Sequence, residues 1–297
     1  MALLSNGNQR LIALATMGLL GALYHVINHG VFKGLLFLNA GSILYATGTQ
    51  DLNKLGGLMK FMPLTALTAI VASFSISGVP LFNGFVSKWS IYVAAVQGSM
   101  SAKYLAVCTV IAILTSALTL ASFIKFFGVS FLSRTSSLVM ERVKKVGELE
   151  VGWMMQISQV FLAAFCILLG IMPAIVFHVM QQILESSRQG FGVILAGAMP
   201  TTSGLMLGVE EIKGVAMYGP FALLILLSIT LLATRAISKF GSAKRRTASP
   251  WLCGYASEEE HHRYSAHNFY GEIKRYFRWL GGMPNRQRSK QENIKES

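Results

Sequence analysis

Charge is scarce in this chain. Only 13% of its 297 residues are Asp, Glu, Lys or Arg, against about 25% in an ordinary soluble domain. Acids are scarcer still: the 13 of them are Asp51, Glu141, Glu148, Glu150, Glu185, Glu210, Glu211 and those of the C-terminal tail, and none lies inside a long apolar run. The 3 cysteines sit apart, Cys108 and Cys166 in apolar runs and Cys253 in the tail. They form no disulfide framework and no paired metal motif. The start, "MALLSNGNQRLIAL", lacks a basic region followed by a small-residue cleavage site, so no cleavable signal peptide is expected. A water-soluble globular domain is excluded by this balance.

What fills the chain is apolar: 53% of it. Several runs exceed the roughly 18 residues that mark a membrane-crossing helix. The expected fold is all-α, a polytopic membrane helical bundle of about six transmembrane helices, with spans near 10–46, 61–79, 81–98, 102–128, 154–180 and 216–238. The first run is longer than one crossing needs, and reads either as one kinked helix or as a lead-in followed by a span. Its glycines, Gly21, Gly30, Gly34 and Gly41, permit close helix contacts. Residues 1–240 form the membrane domain and 241–297 a basic tail.

The net charge of +13 is concentrated: residues 235–297 hold 13 of the 26 Lys and Arg against 6 acids. The positive-inside bias places that tail in the cytoplasm, and six crossings place the N-terminus there as well. The loop 129–153, with Arg134, Arg142, Lys144 and Lys145, is then cytoplasmic, and 181–215, with Arg188 and Lys213, external. Lys54, Lys60 and Lys103 fall on the external side, against the trend. Half of the basic excess borders membrane helices, so a nucleic-acid partner is not expected.

Two stretches stand out. In "YHVINHGVFKG", residues 24–34, His25, His29 and Lys33 recur every four residues, with Asn28 beside them and Asn39 further along. That spacing advances about 6 Å and rotates about 40° beyond a full turn, which gives a slowly curving polar stripe. Bridging waters would let it pass a proton, and histidine titrates near neutral pH. A lone intramembrane histidine is more often a satisfied core residue; three basic groups in register cost a few kcal/mol each at the bilayer centre. As a metal site the pair His25 and His29 lacks any Asp, Glu or Cys on its span, so no metal is expected.

The second stretch is "SISGVPLFNGFVSKWSIYV", residues 75–93, in which Gly78, Pro80 and Gly84 interrupt an apolar run ahead of Lys88. Either this is a broken helix at membrane depth, or a tight turn between two spans with Lys88 snorkelling to the interface. Spacing leaves both open. Lys125, in "SFIKFFG", reads as a snorkelling anchor and an accessory proton-path candidate. His178 reads as interfacial and "EEEHH", 258–262, as a solvated charge run. The aromatic and basic residues from Trp251 to Trp279 would dock a peripheral subunit or lie on anionic headgroups.

Taken in order, "ALYHVINHGVFKGLLFLNAGSILYATGTQDLNKLGGLMKFMPLTA" and "SISGVPLFNGFVSKW" resemble the C-terminal half of the antiporter-like proton-translocating subunits. These occur in respiratory complex I, Mrp-type antiporters and membrane-bound nickel–iron hydrogenases. The resemblance covers about residues 20–130. The phrasing "YHVINHGVFKGLLF" and "ATGTQDLNKLGGL" and the tail "PWLCGYASEEEHHRYSAHNFY" are most similar to the hydrogenase-4 and formate hydrogenlyase type.

The resemblance implies buried Lys, His and Glu residues linked by water along the membrane midplane. His25 and His29 would be the central relay, with Lys33 next to them. Lys88 would match the Lys or Glu of the second broken helix, which controls proton exit or handover to a neighbour; hydrogenase-type relatives often have Glu there, so Lys88 leaves the branch assignment open. The family's first broken helix, with its lysine and paired glutamate, has no counterpart here. The chain is therefore expected to be a half-module partnered by an N-terminal half, by other membrane subunits and by peripheral hydrogenase or dehydrogenase subunits. It is expected to hold no cofactor, the iron–sulfur and nickel–iron centres belonging to those peripheral partners.

The implied function is proton translocation within a redox-driven complex of the bacterial inner membrane, of hydrogenase-4, formate hydrogenlyase or NADH–quinone oxidoreductase type. A Na+/H+ antiporter component and a non-conducting structural half-module are the alternatives.

Overall fold

Proline first occurs at position 63, so nothing before it removes a donor from a helical ladder. The computed structural model, which describes residues 2–99, 102–186, 202–203, 206–207, 218–241, 251, 263–266 and 270, accordingly begins with one unbroken helix. This helix, α1, runs Ala2–Thr47. Its 46 residues rise about 69 Å, more than twice the roughly 30 Å hydrocarbon layer. The run is thus one helix, with no separate lead-in among the described residues.

After two 3-10 turns, Leu52–Lys54 and Leu58–Lys60, come α2 (Pro63–Ser77) and α3 (Asn83–Gly98). The sequence suggested two crossings here; the contacts give one. Along α1, Asn39 meets Thr68, Asn28 meets Asn83 and His25 meets Ser87, while Gly21 lies against Ser90 and Gly18 against Ala94. Position falls on α1 as it rises through α2 and α3, so the two short helices form one discontinuous line antiparallel to α1. Between the Asn39–Thr68 and Asn28–Asn83 contacts α1 advances 11 residues and its partner 15; the break absorbs the 4 extra. Alone, the 15 residues of α2 rise only about 22 Å, too short to cross.

This changes which loops share a face. Ser136 Oγ donates to Lys54 O at 2.7 Å, and the Arg263 guanidinium donates to Asn53 O and Leu55 O. Leu64 N donates to Glu150 at 3.0 Å. The segment 48–62 therefore lies with 128–152 and with the described part of the tail. Lys54 and Lys60, expected opposite Arg134, Arg142, Lys144 and Lys145, join them on one basic face. Among the described residues, the start of α1 and Arg263 lie at opposite ends of the bundle.

α4 (Tyr104–Phe127) returns to the basic face and ends in a π-helical turn, Gly128–Leu132. An unexpected amphipathic helix follows, α5 (Ser137–Val146), capped by the Ser136 side chain. The run expected as one span, 154–180, divides into α6 (Trp153–Ile171) and α7 (Pro173–Glu185). Met172 leaves the helical region there and Pro173 has no N–H to continue the ladder. A two-residue antiparallel pair, β1 (Thr202–Ser203) and β2 (Met206–Leu207), precedes α8 (Pro220–Phe240).

Phe32, Leu35, Ala72, Ile76 and Cys166 form the core where α1, α2 and α6 meet. Leu20, Tyr24, Val86, Phe177 and Tyr218 form the core where α1, α3 and α7 meet. The helix α8 carries exposed leucines and isoleucines along its length, a surface suited to lipid. Among the described residues, four helical stretches are long and apolar enough to cross a membrane, and the α2–α3 line runs antiparallel beside α1. Cys253, Arg188, Lys213, "EEEHH" and most of the tail lie outside the described residues.

Candidate functional site

The break between α2 and α3 is built by local chemistry. Gly78 takes φ +77°, its N–H reaches Ser75 O and Val79 N–H reaches Phe74 O, which closes α2 as a Schellman motif. A turn follows in which Phe82 N donates to Val79 O at 3.2 Å, with Pro80 second and Leu81 third. Leu81 has φ +75°, where a type II turn ordinarily uses glycine, at a cost on the order of 1 kcal/mol. Two contacts hold it. Leu81 N donates to the Tyr218 hydroxyl at 3.2 Å, and the turn presses against Gly170 of α6, where a Cβ would come within 2.6 Å of Phe82 C. A Cβ on Gly84 would collide with Ser75 O. Gly78, Pro80 and Gly84 thus mark a real interruption, and the tight-turn reading with two separate crossings does not hold.

Lys88 reaches back over this break. Its Nζ donates to Ile76 O at 2.8 Å, one of the carbonyls that the Schellman motif leaves open. The alkyl stem passes Gly78, where a Cβ would lie 3.1 Å from Lys88 Cδ. The lysine is half-buried.

From α1, His25 Nδ1 hydrogen-bonds Ser87 Oγ at 2.9 Å and Asn28 Nδ2 donates to Asn83 O at 3.0 Å. His25, Asn28, Asn83, Ser87 and Lys88 therefore meet at one level of the bundle. His29 stands one turn on, its ring centroid 6.0 Å from that of His25 and 5.2 Å from that of Phe32. It is exposed, whereas His25 and Lys33 are half-buried. The rotation of about 40° per four residues turns the stripe progressively away from α3. Lys125 is in the last turn of α4, near the basic face.

Buried polar atoms crowd the same level. Asn28 Oδ1, both amide atoms of Asn83, Ser75 Oγ and Ser77 Oγ have no partner among the described residues. Such atoms cost about 1–3 kcal/mol each unless water reaches them, so this part of the bundle is suited to hold water. Further towards the basic face a second cluster is better satisfied. Thr68 Oγ1 lies 2.8 Å from Asn39 Oδ1 and 3.0 Å from Gln159 Oε1, and Gln159 Nε2 donates to Ser42 Oγ at 2.5 Å. It ties α1, α2 and α6 together.

Sequence reading missed Asn83, Ser87, Gln159, Tyr24, Tyr218 and Glu150. A signal existed for part of this: Asn83, Ser87 and Ser90 recur at i, i+4 and i+7, a polar face on α3. The Tyr24 hydroxyl donates to Leu169 O, and Tyr218 sits just before α8; neither carries a local signature.

Residues 9–115 match the profile of the transmembrane domain described as NADH:quinone oxidoreductase/Mrp antiporter. Hydrogenase-4 component B of Escherichia coli (strain K12) is 30% identical over 82% of this chain and 36% of its own length. A Na(+)/H(+) antiporter subunit A1 of Staphylococcus saprophyticus is 36% identical over 52% of this chain and 19% of its own. The chain thus spans well under half the length of these curated relatives. A chain of the membrane-bound sulfane sulfur reductase, an archaeal respiratory membrane complex, superposes with a TM-score of 0.69 over 94% of this chain and 43% of that one, at 22% identity, so the fold is shared. The chain is thus similar over residues 9–115 to the transmembrane domain described as NADH:quinone oxidoreductase/Mrp antiporter, and over most of its length to part of hydrogenase-4 component B.

Proposed function

We propose that this chain is the C-terminal part of a proton-translocating, antiporter-like module in a redox-driven membrane complex of hydrogenase type. The observation that carries the reading is the broken helix: Lys88 on a free helix-end carbonyl, beside His25, Ser87 and unpartnered buried amides. A protonatable cation, a histidine and polar atoms suited to water at one level are the parts of a proton relay. His25 and Lys88 form its inner section. His29 and Lys33 continue it outwards, towards a membrane subunit that complements this chain, and Lys125 is accessory.

The Na+/H+ antiporter reading has one favouring observation, the 36% identity to subunit A1. A sodium site needs several oxygen ligands, usually with carboxylate among them. None of the 13 acids lies within a long apolar run, which favours protons. A structural half-module without transport would not need a lysine held only by a helix-end carbonyl at a helix break. We place the basic face in the cytoplasm of a bacterial inner membrane, with the tail inside and the start of α1 outside. Peripheral hydrogenase or dehydrogenase subunits would supply the redox centres.

The test is proton uptake by inverted membrane vesicles energised through the complex. Lys88→Ala and His25→Ala should each abolish uptake while the complex still assembles. Normal uptake in both would overturn the reading, and uptake that depends on added sodium would favour the antiporter.

A further inference from the structure

The helix α2 begins with a defect. Its N-cap is Met62, which is buried and has no side chain able to accept a hydrogen bond, and Pro63 at the first position has no N–H. The first free donors are Leu64 N and Thr65 N, and both go to Glu150 Oε2, at 3.0 and 3.3 Å. Thr65 Oγ1 donates to Glu150 Oε1 at 2.5 Å, and Val151 N to the same oxygen at 3.3 Å. The acceptor comes from 85 residues further along the chain, so it is a cap supplied in trans. At the other end of α2, Ile76 O takes Lys88 Nζ.

We infer that Glu150 is a positioning residue for Lys88, acting through α2 from the basic face. α2 is a half-helix with a carboxylate on its positive end and an ammonium on its negative end, the signs that a helix dipole favours. A hydrogen-bonded helix of this length moves along its axis as a rigid body, so holding its first turn fixes where Ile76 O lies. When Lys88 gives up its proton, the hold on the C-terminal end weakens, and Glu150 becomes the contact that fixes the first turn of α2, alongside the Thr68 contacts to Asn39 and Gln159. The inference rests on the proton-carrying role proposed above for Lys88.

The experiment reads position rather than flux. Ser77, buried in the last turn of α2, is replaced as Ser77→Cys in the full chain within native membranes, with Cys108, Cys166 and Cys253 changed to serine or alanine. N-ethylmaleimide labelling is then timed with Glu150 intact, as Glu150→Gln and as Glu150→Asp. Ser158→Cys, on the exposed side of α6, is the control. Loss of the cap should speed labelling at position 77 about fivefold, the ratio expected when a typical cap is removed. It should leave position 158 unchanged, and Glu150→Asp should restore most of the protection.

Unchanged labelling at 77, or equal acceleration at both positions, overturns the inference. If Glu150→Gln does not accumulate, Thr65→Val removes only the hydroxyl contact, and should still accelerate labelling at 77; no acceleration there also overturns it. Labelling needs no proton flux, so this result stands apart from whether Lys88 carries protons.

Discussion

Lys88 and Ile76 are joined across the break by a 2.8 Å hydrogen bond, Nζ to carbonyl oxygen, 12 residues apart in sequence. The acceptor lies at the negative end of α2, so a partial charge stands where a carboxylate might be expected. A helix end contributes about 0.3–1 kcal/mol to a nearby cation, up to about 2 in a partly buried setting. An intramembrane cation costs a few kcal/mol. The compensation is partial, which suits the proton-exchanging role proposed for Lys88. It also explains how a bundle without acids in its apolar runs accommodates a lysine.

The proton-carrying role proposed for Lys88 and its observed contact with Ile76 O separate on substitution. Lys88→Gln keeps a donor for Ile76 O but no exchangeable charge, whereas Lys88→Ala loses both. Both should abolish proton uptake in inverted vesicles, and Lys88→Gln should leave the complex more abundant than Lys88→Ala on immunoblots. Uptake retained in Lys88→Gln would make the lysine a cap only.

Ser87→Ala removes the hydrogen-bond partner of His25 Nδ1, together with the 3.3 Å bond from Ser87 Oγ to Gly84 O within α3. The imidazole then has no fixed orientation. Uptake should fall severalfold, with the complex assembled normally, and Ser87→Thr should recover part of it. Stopped-flow measurement with a pH dye in vesicles gives the rate.

Tyr218→Phe leaves Leu81 N without its acceptor at a strained turn. An unsatisfied buried donor costs about 1–3 kcal/mol, so the unfolding midpoint in detergent should drop by several degrees. Adding Leu81→Gly, which relieves the left-handed strain, should restore part of the loss. By contrast Gly84→Ala sets a methyl group against Ser75 O, with no flexible side chain to yield. It should prevent accumulation of the chain altogether.

On the basic face, Lys145 donates to Glu141 at 2.7 Å, and this hydrogen bond, with the lysine's charge, holds the Glu141 carboxyl below its usual value of 4.5. A depressed carboxylate adds stability above the unfolded value, and loses it as pH falls through the lowered folded one. The pair is fully exposed, so screening keeps its contribution small. Lys145→Ala should lower the melting midpoint slightly at pH 7, and its difference from the parent chain should vanish as pH falls below about 4.5 and Glu141 becomes protonated. Thermal melts at several pH values check this.

The apolar runs and the Gly78–Lys88 interruption were legible because hydropathy and backbone-permissive residues are local signals. The number of crossings was not. Whether α2 and α3 cross separately or in line depends on a constant offset from α1, set by pairings such as Asn39 with Thr68 and Asn28 with Asn83. Counting them as two crossings put Lys54 and Lys60 on the wrong face relative to Arg142. In the site, four-residue spacing predicted the stripe of His25, His29 and Lys33, but not that α3 covers only its first member. Glu150 was invisible as a cap because its acceptor role depends on a contact 85 residues away.

The continuous α1 beside the discontinuous α2–α3 line has a mechanical meaning. A rod laid along a jointed rod acts as a splint: the joint cannot flex without peeling Asn28 from Asn83 and His25 from Ser87. The interruption at Gly78–Phe82 is therefore not a hinge. It opens a chemical gap in an otherwise self-satisfied helix, leaving Ile76 O free for Lys88, while the splint keeps both halves aligned.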